Sequence, residues 1–175
     1  EGVRHAYVEI GEDYDGGGAR NGYVNLEGHS EQAVRLNTMM AEHVRSSGSL
    51  ELFTDPVQIN MDISTACDMN CPFCPYHGDM PHTDLTPKKR LMDMDTMADI
   101  LDAFPNCHVI SLGCSGEPFL HPKLPDIVDL CAERHPHSEV HISTDGLRAD
   151  RFDIKTFFAK ANIKVDRKST RLNSS

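Results

Sequence analysis

The stretch Val57-Gln58-Ile59-Asn60-Met61-Asp62-Ile63-Ser64 alternates apolar and polar residues without a break. A period of two is the mark of a β-strand with one packed and one wetted face. Similar segments recur downstream at His108-Val109-Ile110-Ser111-Leu112 and Glu139-Val140-His141-Ile142-Ser143, and Ile163 to Asp166 reads as the start of a fourth. Helical patterns separate them. Met94, Met97, Leu101 and Phe104 share one helix face, and Pro105 stops that helix. Ile127, Val128, Leu130 and Cys131 are the apolar positions of a second helix over 125–133, and a third contains Phe152, Phe157 and Phe158. This order predicts an α/β fold of parallel strands joined by helical crossovers. Both an open doubly wound sheet and a barrel satisfy it. A barrel is favoured because Gln58, Asn60, Asp62, Ser111, His141 and Ser143 keep one strand face polar, whereas strands sandwiched between helices are apolar on both faces. In a barrel the loops that follow the strands gather at one end, so three unusual loops become one candidate site.

The first of these loops carries Cys67-Asp68-Met69-Asn70-Cys71-Pro72-Phe73-Cys74. Its three thiols, three and two residues apart, let a short loop wrap a metal cluster. A fourth cysteine is missing nearby, and three thiolates on a 4Fe–4S cube leave one iron open to a substrate or cofactor. The second loop is Gly113-Cys114-Ser115-Gly116-Glu117-Pro118 and the third is Thr144-Asp145-Gly146.

The spacing Cys67-x3-Cys71-x2-Cys74, with aromatic Phe73 before the last cysteine, resembles the signature of radical S-adenosylmethionine (SAM) enzymes. Ser115-Gly116-Glu117-Pro118 resembles the family's Gly-Gly-Glu-Pro turn, with Ser115 at its first glycine and Cys114 at another position often held by Gly. Thr144-Asp145-Gly146 resembles its Thr-Asn-Gly turn with Asp for Asn, and Phe119-Leu120-His121-Pro122 is similar to members carrying an auxiliary-cluster (SPASM or twitch) domain. The resemblance implies a 4Fe–4S cluster on Cys67, Cys71 and Cys74, with SAM seated by Phe73, Ser115, Gly116, Glu117, Thr144 and Asp145. It also implies reductive cleavage of SAM to a 5′-deoxyadenosyl radical that abstracts hydrogen from a substrate, peptide or small molecule. An electron donor such as a flavodoxin or ferredoxin is the implied protein partner. The expected architecture is a partial (β/α) TIM-like barrel, truncated after about three and a half strand–helix units, and the isolated chain is expected to turn over little substrate.

Two other readings of the same residues stay open. Cys67, Cys71 and Cys74 with His77 form a Cys3His zinc set, which would make the chain a non-enzymatic zinc module. Cys114 and Ser115 fit a degenerate, non-catalytic barrel. Cys107, Cys114 and Cys131 read as small buried hydrophobes, and His121 as a residue that fixes its loop by hydrogen bonds.

Composition narrows the classes further. Of the 175 residues 39% are hydrophobic and 25% charged, which excludes a disordered chain. With 27 acidic against 17 basic residues the net charge is −10, so no nucleic-acid partner is expected. No apolar run approaches membrane-spanning length, so no membrane partner is expected either; with clustered free thiols, a reducing cytoplasmic location follows as the expectation. Residues 1–54 have no assigned role and read as the possible end of an upstream domain. They include a short strand at 5–10, a Gly16-Gly17-Gly18 loop, and a helix from the N-cap Ser30 to Ser46-Ser47-Gly48. Residues 55–166 read as the N-terminal half of the core domain. The chain starts at Glu1 rather than Met, as a piece of a longer protein would. Residues 167–175 turn abruptly basic and read as an appended, non-native tail.

Overall fold

A computed structural model of the chain describes residues 5–6, 24–25, 30–48, 54–72, 74–78, 89–159 and 163–167. Two short strands, β1 (His5–Ala6) and β2 (Val24–Asn25), pair antiparallel. Helix α1 (Glu31–Ser47) begins where Ser30 Oγ accepts from the Ala33 amide at 3.1 Å, and ends at Gly48, whose φ of 68° a side chain would resist.

The main sheet holds β3 (Gln58–Met61), β4 (Val109–Leu112), β5 (Glu139–Thr144) and β6 (Ile163–Arg167), all parallel and in that order. Helix α2 (Met94–Ala103) crosses from β3 to β4, α3 (Leu124–Arg134) from β4 to β5, and the five-residue α4 (Ile154–Phe158) precedes β6. The result is an open four-stranded α/β sheet with β3 and β6 at its edges, consistent with part of a barrel.

One face of this sheet makes the core. Ile59, Met61, Ile110, Leu112, Val140 and Ile142 pack with Met97 and Leu101 of α2 and with Leu124, Ile127, Val128 and Cys131 of α3. Each fully buried aliphatic contributes about 1.5–3 kcal/mol relative to exposure. The opposite face is polar as the alternation predicts: Asn60, Ser111, His141 and Lys164 are successive register partners across all four strands.

Three differences from the sequence reading have local causes. The first strand ends at Met61 rather than Ser64, because the chain turns out to pair with 90–92: Thr65 N–H donates to Arg90 O and Met92 N–H to Ile63 O. The third helix is interrupted. Ala149–Arg151 forms one 3-10 turn, and Asp153 then caps α4 by accepting from the Lys155 and Thr156 amides, leaving Phe152 between the two to stack edge-on against Phe119 at 5.7 Å. The last strand runs through Arg167, which pairs with Thr144, one residue into the stretch read as a tail; residues 168–175 lie outside the described residues.

Helix α1 is tied to the N-terminal end of the sheet by a buried amide. Asn37 Nδ2 donates to Asp55 O and Asn106 O, while Asn37 Oδ1 accepts from the Asp55 amide. Asp55 Oδ2 accepts in turn from the backbone and side chain of Asn106.

Candidate cofactor site

The three loops converge at the C-terminal end of the sheet. After β3 the chain enters the cysteine loop, and its approach, 64–66, lies flat against the turn after β4. A Cβ on Gly116 would stand 2.0 Å from Ser64 O and 2.8 Å from Ala66 O, so glycine is required by contact rather than by its torsion angles. The Glu117 amide donates to Ala66 O at 2.7 Å, one residue before Cys67. Gly113 needs glycine on both grounds: its φ is 96° and a Cβ would meet the Pro118 ring at 2.3 Å.

Two carboxylates fix the middle loop. Asp62 Oδ1 accepts from the Cys114 and Ser115 amides at 2.8 and 2.7 Å, and Oδ2 accepts from Ser115 Oγ at 2.7 Å. The serine hydroxyl at this turn therefore has a partner, which a glycine would not offer. Glu117 is fully buried. Its Oε1 accepts from Thr144 Oγ1 at 2.6 Å and from the Phe119 amide at 3.0 Å, and its Oε2 accepts from the Asp145 amide at 2.9 Å. One side chain thus joins the second loop to the third. Thr144 Oγ1 also accepts from the Gly146 amide, and Asp145 Oδ1 from the Leu147 amide, closing the turn out of β5.

The third loop returns to the first. Arg148 Nε donates to Asp68 Oδ2 at 2.6 Å, and this hydrogen bond is the main cause of the raised guanidinium pKa. One side-chain ligand atom each from Cys67, Asp68 and Asp145 lie within 4.8 Å of one another. Of the residues expected to form the site, Ser115, Gly116, Glu117, Thr144 and Asp145 are brought beside the entry to the cysteine loop, and Phe73 lies outside the described residues. Asp62, Asp68 and Arg148 escape sequence reading. The alternation assigns Asp62 only to a polar strand face, and no spacing announces an 80-residue ion pair.

The cysteine loop fits a thiolate-bound cluster. Cys67, Cys71 and Cys74 form no disulfide among the described residues and are half-buried. The Cys74 amide donates to Cys71 O and the Gly78 amide to Cys74 O, while a Cβ on Gly78 would stand 2.4 Å from Cys71 O and 2.7 Å from Cys74 O. The loop is folded tightly around that missing methyl. The His77 amide donates to Cys74 Sγ at 3.3 Å.

The remaining cysteines differ. Cys107 and Cys131 are buried, and loss of hydration pushes their thiols up to about 11 and about 12. Cys114 is exposed, against the expectation of burial, because Asp62 holds its backbone at the outer edge of the turn. His121 does fix its loop: the ring spans Met92 O at 2.9 Å and the Lys123 amide at 3.1 Å. His141 sits on the polar face against Glu139 at 2.9 Å, and Lys164 pairs with the same carboxylate. Lys164 first and His141 second hold the Glu139 carboxyl below its ordinary range.

An open parallel sheet with a three-cysteine loop at the C-terminal ends of its strands defines an α/β protein, consistent with part of a barrel, that has a candidate metal site. The radical SAM superfamily matches residues 61–167, more than half of the chain, and the chain belongs to that superfamily. This is a family of enzymes that use a 4Fe–4S cluster and SAM. Two crystal structures of BtrN are similar in fold. The selenomethionine form in an open conformation is 19% identical with a TM-score of 0.49, covering 67% of this chain and 59% of that one. The complex with AdoMet and 2-DOIA is 16% identical with a TM-score of 0.45, covering 65% and 57%. This chain thus spans less than two thirds of the length of either. None of the curated proteins matches the sequence. Among the described residues no helix is long and apolar enough to cross a membrane.

Proposed function

We propose that the chain carries the cofactor-binding half of a radical SAM enzyme, with Cys67, Cys71 and Cys74 as ligands of a 4Fe–4S cluster. When bound, the cluster supplies the electron that cleaves SAM to methionine and a 5′-deoxyadenosyl radical, which abstracts hydrogen from the substrate. The chain's own residues hold and orient. The turn Ser115-Gly116-Glu117 seats the methionine end of SAM, because an ammonium needs acceptors and a glycine turn offers carbonyls without obstruction. Thr144, Asp145 and Phe73 complete the seat. The Glu117 side chain holds both turns in place for that seat, Oε1 accepting from Thr144 Oγ1 and the Phe119 amide and Oε2 from the Asp145 amide. The polar face at Asn60, Ser111 and His141 is where a peptide or small-molecule substrate is received. A flavodoxin or ferredoxin supplies the electron, and a reducing cytoplasm suits the thiols.

The observation that carries this reading is the convergence of three sequence-distant loops on Cys67, through Glu117 and the Arg148–Asp68 pair. Anaerobic reconstitution with iron and sulfide tests it. About four iron and four sulfide per chain, with a reduced-state paramagnetic resonance signal altered by SAM, is the expected result. A colourless chain with stoichiometric zinc overturns it. One observation favours that second reading: His77 Nε2 is buried without a partner among the described residues, three residues after Cys74.

A further inference from the structure

Cys67 stands beside two carboxylates that are not equivalent. The Cys67 sulfur and one oxygen each of Asp68 and Asp145 lie within 4.8 Å of one another. Asp68 is neutralised by Arg148, whose Nε donates to its Oδ2 at 2.6 Å. Asp145 has one oxygen on the Leu147 amide at 2.8 Å, whereas its other oxygen, Oδ2, is buried with no partner among the described residues. Arg148 also senses Asp145, but its dominant interaction is with Asp68. The corner around Cys67 therefore holds one compensated and one largely uncompensated negative group.

We propose that Asp145 sets the reduction potential of the cluster, its carboxylate beside the Cys67 sulfur making the bound cluster harder to reduce. The inference rests on the preceding reading that Cys67 is a cluster ligand. Reduction adds one electron to the cluster, and a fixed negative charge close to a ligand sulfur raises the energy of the reduced form more than that of the oxidised form. The effect is large where water is excluded, because the effective dielectric falls well below that of bulk water, and Oδ2 is the excluded oxygen. The charge would otherwise be costly to keep in place unpaired. Its position thus ties a local expense to the electron that the cluster must accept.

The full 175-residue chain, reconstituted anaerobically with iron and sulfide and without SAM, is titrated with redox mediators and followed by electron paramagnetic resonance. The pair D145N and R148Q is compared with the wild type. D145N keeps an acceptor oxygen for the Leu147 amide and exchanges the unpartnered charged oxygen for a neutral NH2 of similar size, so the midpoint moves to a more positive potential with iron content unchanged. R148Q frees the Asp68 charge and moves the midpoint the opposite way by less, since Arg148 is half-exposed. A loss of packing would not give shifts of opposite sign. A D145N midpoint that coincides with or lies below the wild type, or two variants moving in the same direction, overturns the inference while the cluster reading stands. A wild-type chain that takes up no iron overturns the cluster reading and this inference with it.

Discussion

Cys67 follows β3 and Cys107 precedes β4, so the two stand at opposite ends of one parallel sheet, in surroundings that make them different reagents. At the N-terminal end Cys107 is sealed: His135 Nε2 donates to Leu101 O at 2.9 Å, which leaves Nδ1 to accept from the Cys107 thiol at 3.7 Å. Ser138 Oγ donates to Cys107 O at 2.6 Å. The thiol, imidazole and hydroxyl join a loop and two helix ends, and none of the three residues is exposed. At the C-terminal end the thiols are half-buried, and their loop is held by backbone hydrogen bonds, by the Arg148–Asp68 pair and by the His77 amide on Cys74 Sγ. The same residue type therefore stabilises where it is enclosed and remains accessible where it is half-buried.

The largest effect that would break this contrast is on metal loading. Replacing any of Cys67, Cys71 or Cys74 by Ala lowers reconstituted iron by more than about tenfold, because loss even of a ligand's supporting partner costs metal sites 10–100-fold. C107A and C131A load iron as the wild type does. Iron and sulfide analysis of the five variants decides the point.

Next in size is Glu117→Ala, which strands the Thr144 hydroxyl and the Phe119 and Asp145 amides in a buried position. It costs about 3 kcal/mol or more, at about 1–3 kcal/mol for each unsatisfied group, measured by urea unfolding. E117Q keeps two acceptor contacts at its carbonyl oxygen and costs less. A loss below about 1 kcal/mol for the alanine variant would show that the loops are not joined through this side chain. Gly116→Ala follows at about 1–3 kcal/mol, from forcing Ser64 and Ala66 away. Gly48→Ala loses only the torsional preference, about 1–2 kcal/mol, since nothing lies within 4 Å of its Cβ position.

The smallest effect at neutral pH sharpens the comparison from the other end. Burial raises Cys107 from an ordinary 9.0 to about 11 and Cys131 to about 12. Above pH 9 the unfolded chain releases these protons while the folded chain keeps them, so their stabilisation is complete below 9 and is lost as pH rises through 11 and 12. For Cys107 the shift leaves about a hundredfold less thiolate at a given pH. Iodoacetamide at pH 8 is expected to modify Cys67, Cys71, Cys74 and Cys114 in the metal-free chain, and Cys107 and Cys131 only after unfolding. Equal labelling of all six, read by mass spectrometry, would erase the distinction.

Much of this molecule is legible in its residues. The alternation through Ile59, Asn60 and Met61 gives the strand and its two faces, because side chains alternate across any strand whatever it packs on. Ser30 and Gly48 bracket α1 for equally local reasons. The cysteine spacing and the two later turns locate the three loops. What escapes are the long-range pairs, since Asp62 could as well have faced solvent, and Arg148 could have met any nearby carboxylate.

The sequence by itself determined the strand periodicity, the caps and the thiol spacing, because these depend on backbone geometry over a few residues. Only the tertiary structure decided that Glu117 bridges two loops and that Gly116 must be glycine. It also separated Asp145, whose Oδ2 has no partner among the described residues, from Asp68, which Arg148 compensates. Each of these depends on which strand lies beside which. Neighbour order in a sheet is settled by packing across the whole core, not by any segment alone.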